Sequence, residues 1–175
     1  MTSLFIFVEG LDDERFISEV IVPRLLKVYD QVDIHRYRNK TEKYVSNFIS
    51  SIKSMSGVNY MFISDFDMNP CISTRKDRLI ERYDGLDKEH IFIVKNEIES
   101  WYVAGLDRNN CSKFRIKHFT DTVNVTKNSF DEMFNIKSKS RVDLMLEILV
   151  SFDSRVARKQ NSSFDYFFRK TFDRD

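Results

Sequence analysis

A chain of 175 residues with 42% hydrophobic and 31% charged residues has the length and composition of a single globular domain, not a disordered or fibrous one. Its 28 Lys and Arg against 27 Asp and Glu leave a formal +1, which excludes a histone-like or acidic-tail protein but not a local basic groove. The four glycines, at 10, 57, 85 and 105, are too scattered for a Walker A or GxGxxG phosphate loop. Two distant cysteines, Cys71 and Cys111, and isolated His35, His90 and His118 supply neither a disulfide framework nor a zinc site. No stretch approaches the roughly 20 apolar residues of a membrane span, and the first apolar run is too short for a signal peptide. A reduced, cytoplasmic location without membrane partners is expected.

Leu4-Phe5-Ile6-Phe7-Val8 is apolar on both alternations, as in a strand buried on both faces of a parallel sheet. Glu9-Gly10 ends it. Asp12 and Asp13 start a helix carrying Phe16, Ile17, Val20 and Ile21 to about Lys27, with Pro23 kinking its middle. Residues 31–37 read as a second strand. Thr41 caps a helix whose apolar face is Tyr44, Val45, Phe48, Ile49 and Ile52, and Gly57 breaks it.

Tyr60-Met61-Phe62-Ile63 is the third strand, followed by Ser64-Asp65-Phe66-Asp67. A charged helix over residues 74–83 and an Asp84-Gly85 turn lead to the fourth strand, Ile91-Phe92-Ile93-Val94, and then to Glu97-Ile98-Glu99-Ser100-Trp101. The order βαβαβαβ predicts an open, mostly parallel four-stranded α/β sheet.

Residues 1–107 carry 14 basic and 18 acidic groups, a net −4, whereas residues 108–175 carry 14 and 9, a net +5. The expected organisation is a core at 1–106 and a basic, helical extension at 107–175 packed on it as one compact unit. The extension holds a helix from about Arg141 to Ser154, with Val142, Met145, Leu146 and Leu149 on one face, and a last helix rich in aromatics, Phe164, Tyr166, Phe167 and Phe168.

Acidic residues follow three of the four strands: Glu9, then Asp65 and Asp67, then Glu97 and Glu99. Ligand sites in open α/β sheets lie at the carboxyl ends of the strands. One acid after a strand is most often a turn residue or a helix cap, but three such clusters on one sheet are harder to dismiss. Like charges brought together repel, and a divalent cation relieves them. Oxygen ligands without His or Cys favour Mg²⁺ or Mn²⁺.

Phe7-Val8-Glu9-Gly10 with Phe62-Ile63-Ser64-Asp65-Phe66-Asp67 resembles the Toprim domain, whose signature is Glu-Gly after the first strand and Asp-x-Asp after the third. The segment from Val94 to Ala104, containing Glu-Ile-Glu-Ser-Trp, and the ending Asn161-Ser162-Ser163-Phe164-Asp165-Tyr166-Phe167 are similar to small stand-alone Toprim proteins of the overcoming-lysogenization-defect and phage-defence type. The resemblance departs at Pro70, where many Toprim domains place a glycine.

The resemblance implies a Toprim fold and a nuclease using one or two Mg²⁺ or Mn²⁺ ions. Glu9, Asp65 and Asp67 would be catalytic metal ligands. Asp13 would be a ligand or stand behind the ligands, and Glu97 or Glu99 would help hold a second ion. Lys139, with Lys137 as its rival, would stabilise charge on the scissile phosphate. Independently of the resemblance, the +5 of the second segment makes Lys137, Arg141, Arg155, Arg158 and Lys159 the candidates to track the phosphates of DNA or RNA, the alternative for Arg155, Arg158 and Lys159 being a solvated helix face. A partner ATPase or other defence subunit is implied by the resemblance alone. The rival expectation is a non-catalytic binding or regulatory module on the same fold. A topoisomerase is disfavoured, because the chain has no room for the extra domain bearing its tyrosine.

Overall fold

The apolar run Leu4–Val8 forms β1 (Ser3–Val8), a central strand of a four-stranded, all-parallel sheet of order β2-β1-β3-β4. Its neighbours are β2 (Gln31–Arg36), in register from Ser3 opposite Gln31 to Val8 opposite Arg36, and β3 (Val58–Asp65), from Ser3 opposite Val58 to Phe7 opposite Phe62. β4 (Ile91–Val94) is entirely buried. The expected βαβαβαβ order and α/β class are those observed. The structure is a computed structural model; it describes residues 1–134 and 140–173 and divides the chain into two compact units, Met1–Ile93 and Val94–Asp175. No helix among the described residues is long and apolar enough to cross a membrane.

In the first unit the helix after β1 is built in three pieces: α1 (Leu11–Phe16), a π-helical turn (Ile17–Ile21) and α2 (Val22–Leu25). Pro23 has no N–H to give to the carbonyl one turn back, and the widened turn that precedes it absorbs the defect. α1 begins from Gly10, so Asp12 lies inside its first turn and pairs with Arg15 at 2.7 Å instead of capping the helix. Thr41 does cap α3 (Glu42–Lys53), accepting from the Tyr44 N–H at 3.2 Å. α4 (Ile72–Arg82) starts two residues before the expected position, because the Cys71 thiol accepts from the Thr74 N–H in the place where Ser, Thr or Asp is usual. One face of the sheet is covered by an aromatic stack: Tyr37 lies 4.4 Å from Phe62, and Phe62 lies 5.9 Å from Phe7 and 5.4 Å from Tyr83, ring centre to ring centre.

The second unit begins at Val94, so the Glu97–Trp101 segment belongs with the helices that follow it and not with residues 1–93. Composition changes only after Leu106, but packing decides earlier: in α5 (Glu99–Ala104) every residue is buried. The further helices are α6 (Arg108–Lys113), α7 (Lys127–Met133), α8 (Arg141–Val150), α9 (Ser154–Gln160) and α10 (Ser162–Phe172). The single helix expected from Arg141 to Ser154 stops at Val150, because Asp153 caps a new one and donates its N–H to the Gly105 carbonyl. The buried face of α8 is Leu144, Met145 and Ile148, while Val142 and Leu146 are exposed. Of the expected face Met145 is buried and Leu149 partly so, but Val142 and Leu146 point outward with Asp143 and Glu147, and the buried stripe is turned toward Leu144 and Ile148.

The two segments that carried the more particular resemblance meet inside this unit. The Trp101 indole N–H donates to the Ser163 hydroxyl at 2.9 Å, and its ring packs on Phe164 and Phe167. Asn161 is buried; its carbonyl oxygen accepts from the Ser163 and Phe164 N–H groups, both at 3.1 Å, and its amide donates to Thr122 and Ser100. Asn161→Ala removes a helix cap, worth about 0.5–2 kcal/mol, and strands buried partners at about 1–3 kcal/mol. A loss of about 2–4 kcal/mol in denaturant-induced unfolding is expected, and a change below 1 kcal/mol would show that the knot is not what fixes α10.

Candidate functional site

The site of the first unit is assembled at the carboxyl ends of β1 and β3, which are adjacent in the sheet. Glu9 leaves β1 at the point where the chain turns into α1. Buried Asp13, in the first turn of that helix, reaches back to accept from the Gly10 N–H at 3.1 Å and fixes the turn. Glu9 Oε1 then accepts three hydrogen bonds: from the Asp65 N–H at 3.0 Å, the Ser64 hydroxyl at 2.9 Å and the Tyr37 hydroxyl at 3.1 Å. Burial, and after it the Glu9 charge, pushes the Tyr37 hydroxyl far above its ordinary pKa, so it serves as a neutral donor.

Beyond Asp65, the last residue of β3, the chain passes through two left-handed residues, Asp67 at φ 47° and Met68 at φ 50°. Side chains other than glycine occupy this region at a cost, Asp and Asn at the least. Asn69 holds the turn: its amide donates to the carbonyls of Phe66 (2.6 Å) and Asp67 (3.0 Å), and its oxygen accepts from Arg78 at 2.8 Å. Pro70, where the resemblance departs, follows a loop pinned by Asn69.

The residue that gathers the site was not visible in the sequence pattern. Arg75, in the first turns of α4, donates from Nε to the Asp65 carbonyl at 2.9 Å and from Nη2 to the Ser64 hydroxyl at 2.7 Å. The same Nη2 lies 2.6 Å from Asp67 Oδ2 and 3.5 Å from Glu9 Oε1. Resting on one nitrogen, these carboxylate oxygens are within about 6 Å of each other. Arg75 and Glu9 side chains are nearly buried, 13% and 12% exposed, whereas Asp67 is 56% exposed. Tyr37 and Ser64 are likewise additions of the structure. The only signal for Ser64 is its place beside the Asp-x-Asp pair; for Arg75 and Tyr37 there is none in local spacing.

Carboxylates turned toward one shared cation fit a hard metal ion in charge and in donor type. Their present geometry is that of a guanidinium site: among the described residues no three His, Cys, Asp or Glu side chains stand close enough together to hold a metal ion. Arg75 occupies Asp67 Oδ2, so a metal ion bound through that oxygen would compete with it.

In the second unit Glu97 and Glu99 are already engaged. Glu97 accepts from the Lys127 N–H, which tethers the start of α7. Glu99 is buried and contacts the Arg141 guanidinium, whose Nε lies 2.8 Å from Asp131 and whose plane sits over the Phe130 ring. Burial raises the Glu99 pKa despite the opposing pull of Arg141. Lys137 and Lys139 lie outside the described residues.

The expected phosphate-tracking side chains are largely ion-paired. Arg155 closes on Asp153 at 2.9 Å, and Arg158 bridges Asp165 (2.8 Å) and Asp173 (2.7 Å). Arg141 is held as described above, and Lys159 is exposed. Replacing Arg155, Arg158 and Lys159 together with Ala should therefore flatten the salt dependence of nucleic-acid binding by about one unit of log–log slope, and not by three. Titration at several salt concentrations checks this, and an unchanged slope would remove the face from the interface.

No protein-family model matches the chain, and no curated protein does. Among solved structures it is similar to the C-terminal region of the Burkholderia pseudomallei OLD protein, at 16% identity over 97% of this chain and 95% of that one, with a TM-score of 0.39.

Proposed function

We propose that the chain is a Toprim-type nuclease that hydrolyses phosphodiester bonds in DNA or RNA with Mg²⁺ or Mn²⁺. The observation that supports this most is the turning of Glu9 and Asp67 onto one cation at the carboxyl ends of adjacent parallel strands, with Asp65 between them in sequence and bonded through its N–H to Glu9. Glu9, Asp65 and Asp67 are the residues that would hold the ion, and Asp13 fixes the turn that aims Glu9. A bound ion would supply charge stabilisation at the attacking and leaving oxygens. Arg75 orients Asp67 and Glu9 and, once released from them, is a cation available to a phosphate. Lys139, or Lys137, is proposed to oppose charge on the scissile phosphate. A further proposal is that the chain acts as an effector in phage defence beside an ATPase subunit; this rests on the motif resemblance.

The Arg75 pairing also favours a second reading, a non-catalytic module whose carboxylates are permanently neutralised by their own arginine. One pair of measurements separates the two. Purified protein is incubated with plasmid DNA and with RNA in Mg²⁺, Mn²⁺ or EDTA, and Mn²⁺ binding is titrated by calorimetry. Metal-dependent cleavage of either polymer is the expected result; absence of both cleavage and Mn²⁺ binding would establish the module. If Arg75 competes with metal, Arg75→Met should tighten Mn²⁺ binding about ten-fold or more, since contacts to a charged group contribute about 1.5–3 kcal/mol.

A further inference from the structure

A cavity of about 350 Å³ opens at the carboxyl end of β2, the strand beside β1. It lies in the first unit, and none of the carboxylates assigned above lines it. This volume falls in the range of small-ligand pockets, about 300–1,000 Å³. Its walls combine basic, aromatic, amide and imidazole groups with one acid, the Glu14 carboxylate. Arg36 and Lys40 bring positive charge; Arg36 is shared with Glu14 at 2.9 Å, whereas Lys40 has no carboxylate partner among the described residues and stands 5.4 Å from the centre of the Tyr44 ring. Tyr44 supplies a flat aromatic surface, and half of the residue is exposed although it lies on the face of α3 that should be apolar and inward. Asn39 supplies an amide, and His35 a ring whose buried Nε2 has no hydrogen-bond partner among the described residues. Tyr37 also lines the cavity, and its hydroxyl donates to Glu9 Oε1, so one side chain is common to the recess and the acidic site.

An unpaired lysine over an exposed ring, beside an amide, suits a ligand that is an anion at one end and a flat heterocycle at the other. We infer that this recess binds a nucleoside monophosphate, with its phosphate on Lys40 and Arg36 and its base against Tyr44. The nucleotide is either free or the terminal unit of a strand held beside the acidic site; only the second source rests on the nuclease reading. Lys40 and Tyr44 are exposed, so their replacement leaves the core intact.

The test is calorimetric titration of the whole chain with adenosine monophosphate, in EDTA. Saturable binding is expected, at least ten-fold tighter than that of inorganic phosphate. Lys40→Ala and Tyr44→Ala should each weaken it about ten-fold, in line with a lost contact to a charged group and a lost base stack. Competition with a short oligonucleotide bearing a terminal phosphate, against the same strand ending in hydroxyls, identifies the source: displacement only by the phosphorylated strand assigns a strand end, and displacement by neither assigns the free nucleotide. No saturation at 10 mM (roughly the weak limit of specific binding), equal affinity for inorganic phosphate, or unchanged binding in both variants would overturn the inference. Asp67→Asn should still bind adenosine monophosphate, so loss of the nuclease reading and loss of this one give different results.

Discussion

Asp67→Asn is expected to lower metal-dependent cleavage by at least about 10²–10³-fold, the scale on which removal of one preorganised electrostatic group acts, while the folded state survives. Asparagine is the best replacement on backbone grounds: Asp67 sits at φ 47°, a conformation that costs Asn less than Ala. The amide keeps an oxygen that can accept from Arg75 but removes the negative charge that a hard cation needs. Little stability should be lost, since Asp67 is more than half exposed and such pairs contribute about 0–1 kcal/mol. Cleavage rate and unfolding midpoint, measured on one preparation, check both halves. Wild-type turnover would take Asp67 out of the chemistry. A large fall in the midpoint would mean that the Arg75 contact is structural.

The strands were legible because burial on both faces leaves no polar alternation to misread. β1, β3 and β4 each contain an uninterrupted apolar run, and β4 has the expected bounds, Ile91–Val94. Helix details were legible only where a conventional side chain carried them. Thr41 caps α3 as expected, but Cys71 caps α4 with a thiol, outside the usual set. On α8 apolar residues fill more than one stripe, so periodicity placed Met145 inward correctly but took Val142 and Leu146, which are exposed, in place of Leu144 and Ile148, which are buried.

Topology accounts for the acids that meet. Glu9 and Asp65 end neighbouring parallel strands, and any sequence making those strands brings them together. The partner that joins Asp67 to Glu9 depends on how α4 folds back after a left-handed turn, and no spacing rule puts Arg75 ten residues after Asp65 into their midst. Glu97 and Glu99 carry the opposite lesson. They have the same signature, acids following a buried strand, yet one tethers α7 and the other meets an arginine forty-two positions away. A carboxylate beyond a strand looks alike in sequence whether a cation, a helix start or a guanidinium awaits it.

That last pair carries the largest expected effect on stability. Arg141→Ala should cost about 3–5 kcal/mol, the penalty for breaking a buried ion pair and leaving one charge behind. Glu99 is 4% exposed, and the Arg141 side chain is 19% exposed, with Asp131 and the Phe130 ring as its other neighbours. The loss should depend on pH in a definite sense. Burial holds the Glu99 pKa above its ordinary 4.5, so the folded chain binds this proton more readily than the unfolded one. Its contribution to stability is complete below about 4.5 and declines as pH rises through the folded-state value. Arg141 opposes that shift; without it the folded-state pKa climbs further, and the decline extends to higher pH. The variant should therefore lie closest to wild type near pH 4.5 and furthest from it near pH 7.5, in urea unfolding at both. Adding Glu99→Gln to Arg141→Ala removes the stranded charge and should recover part of the loss at pH 7.5. A penalty that is the same at both pH values, or one unmoved by Glu99→Gln, would mean that Arg141 acts by filling space against Phe130 and Met145 and not by holding the Glu99 charge.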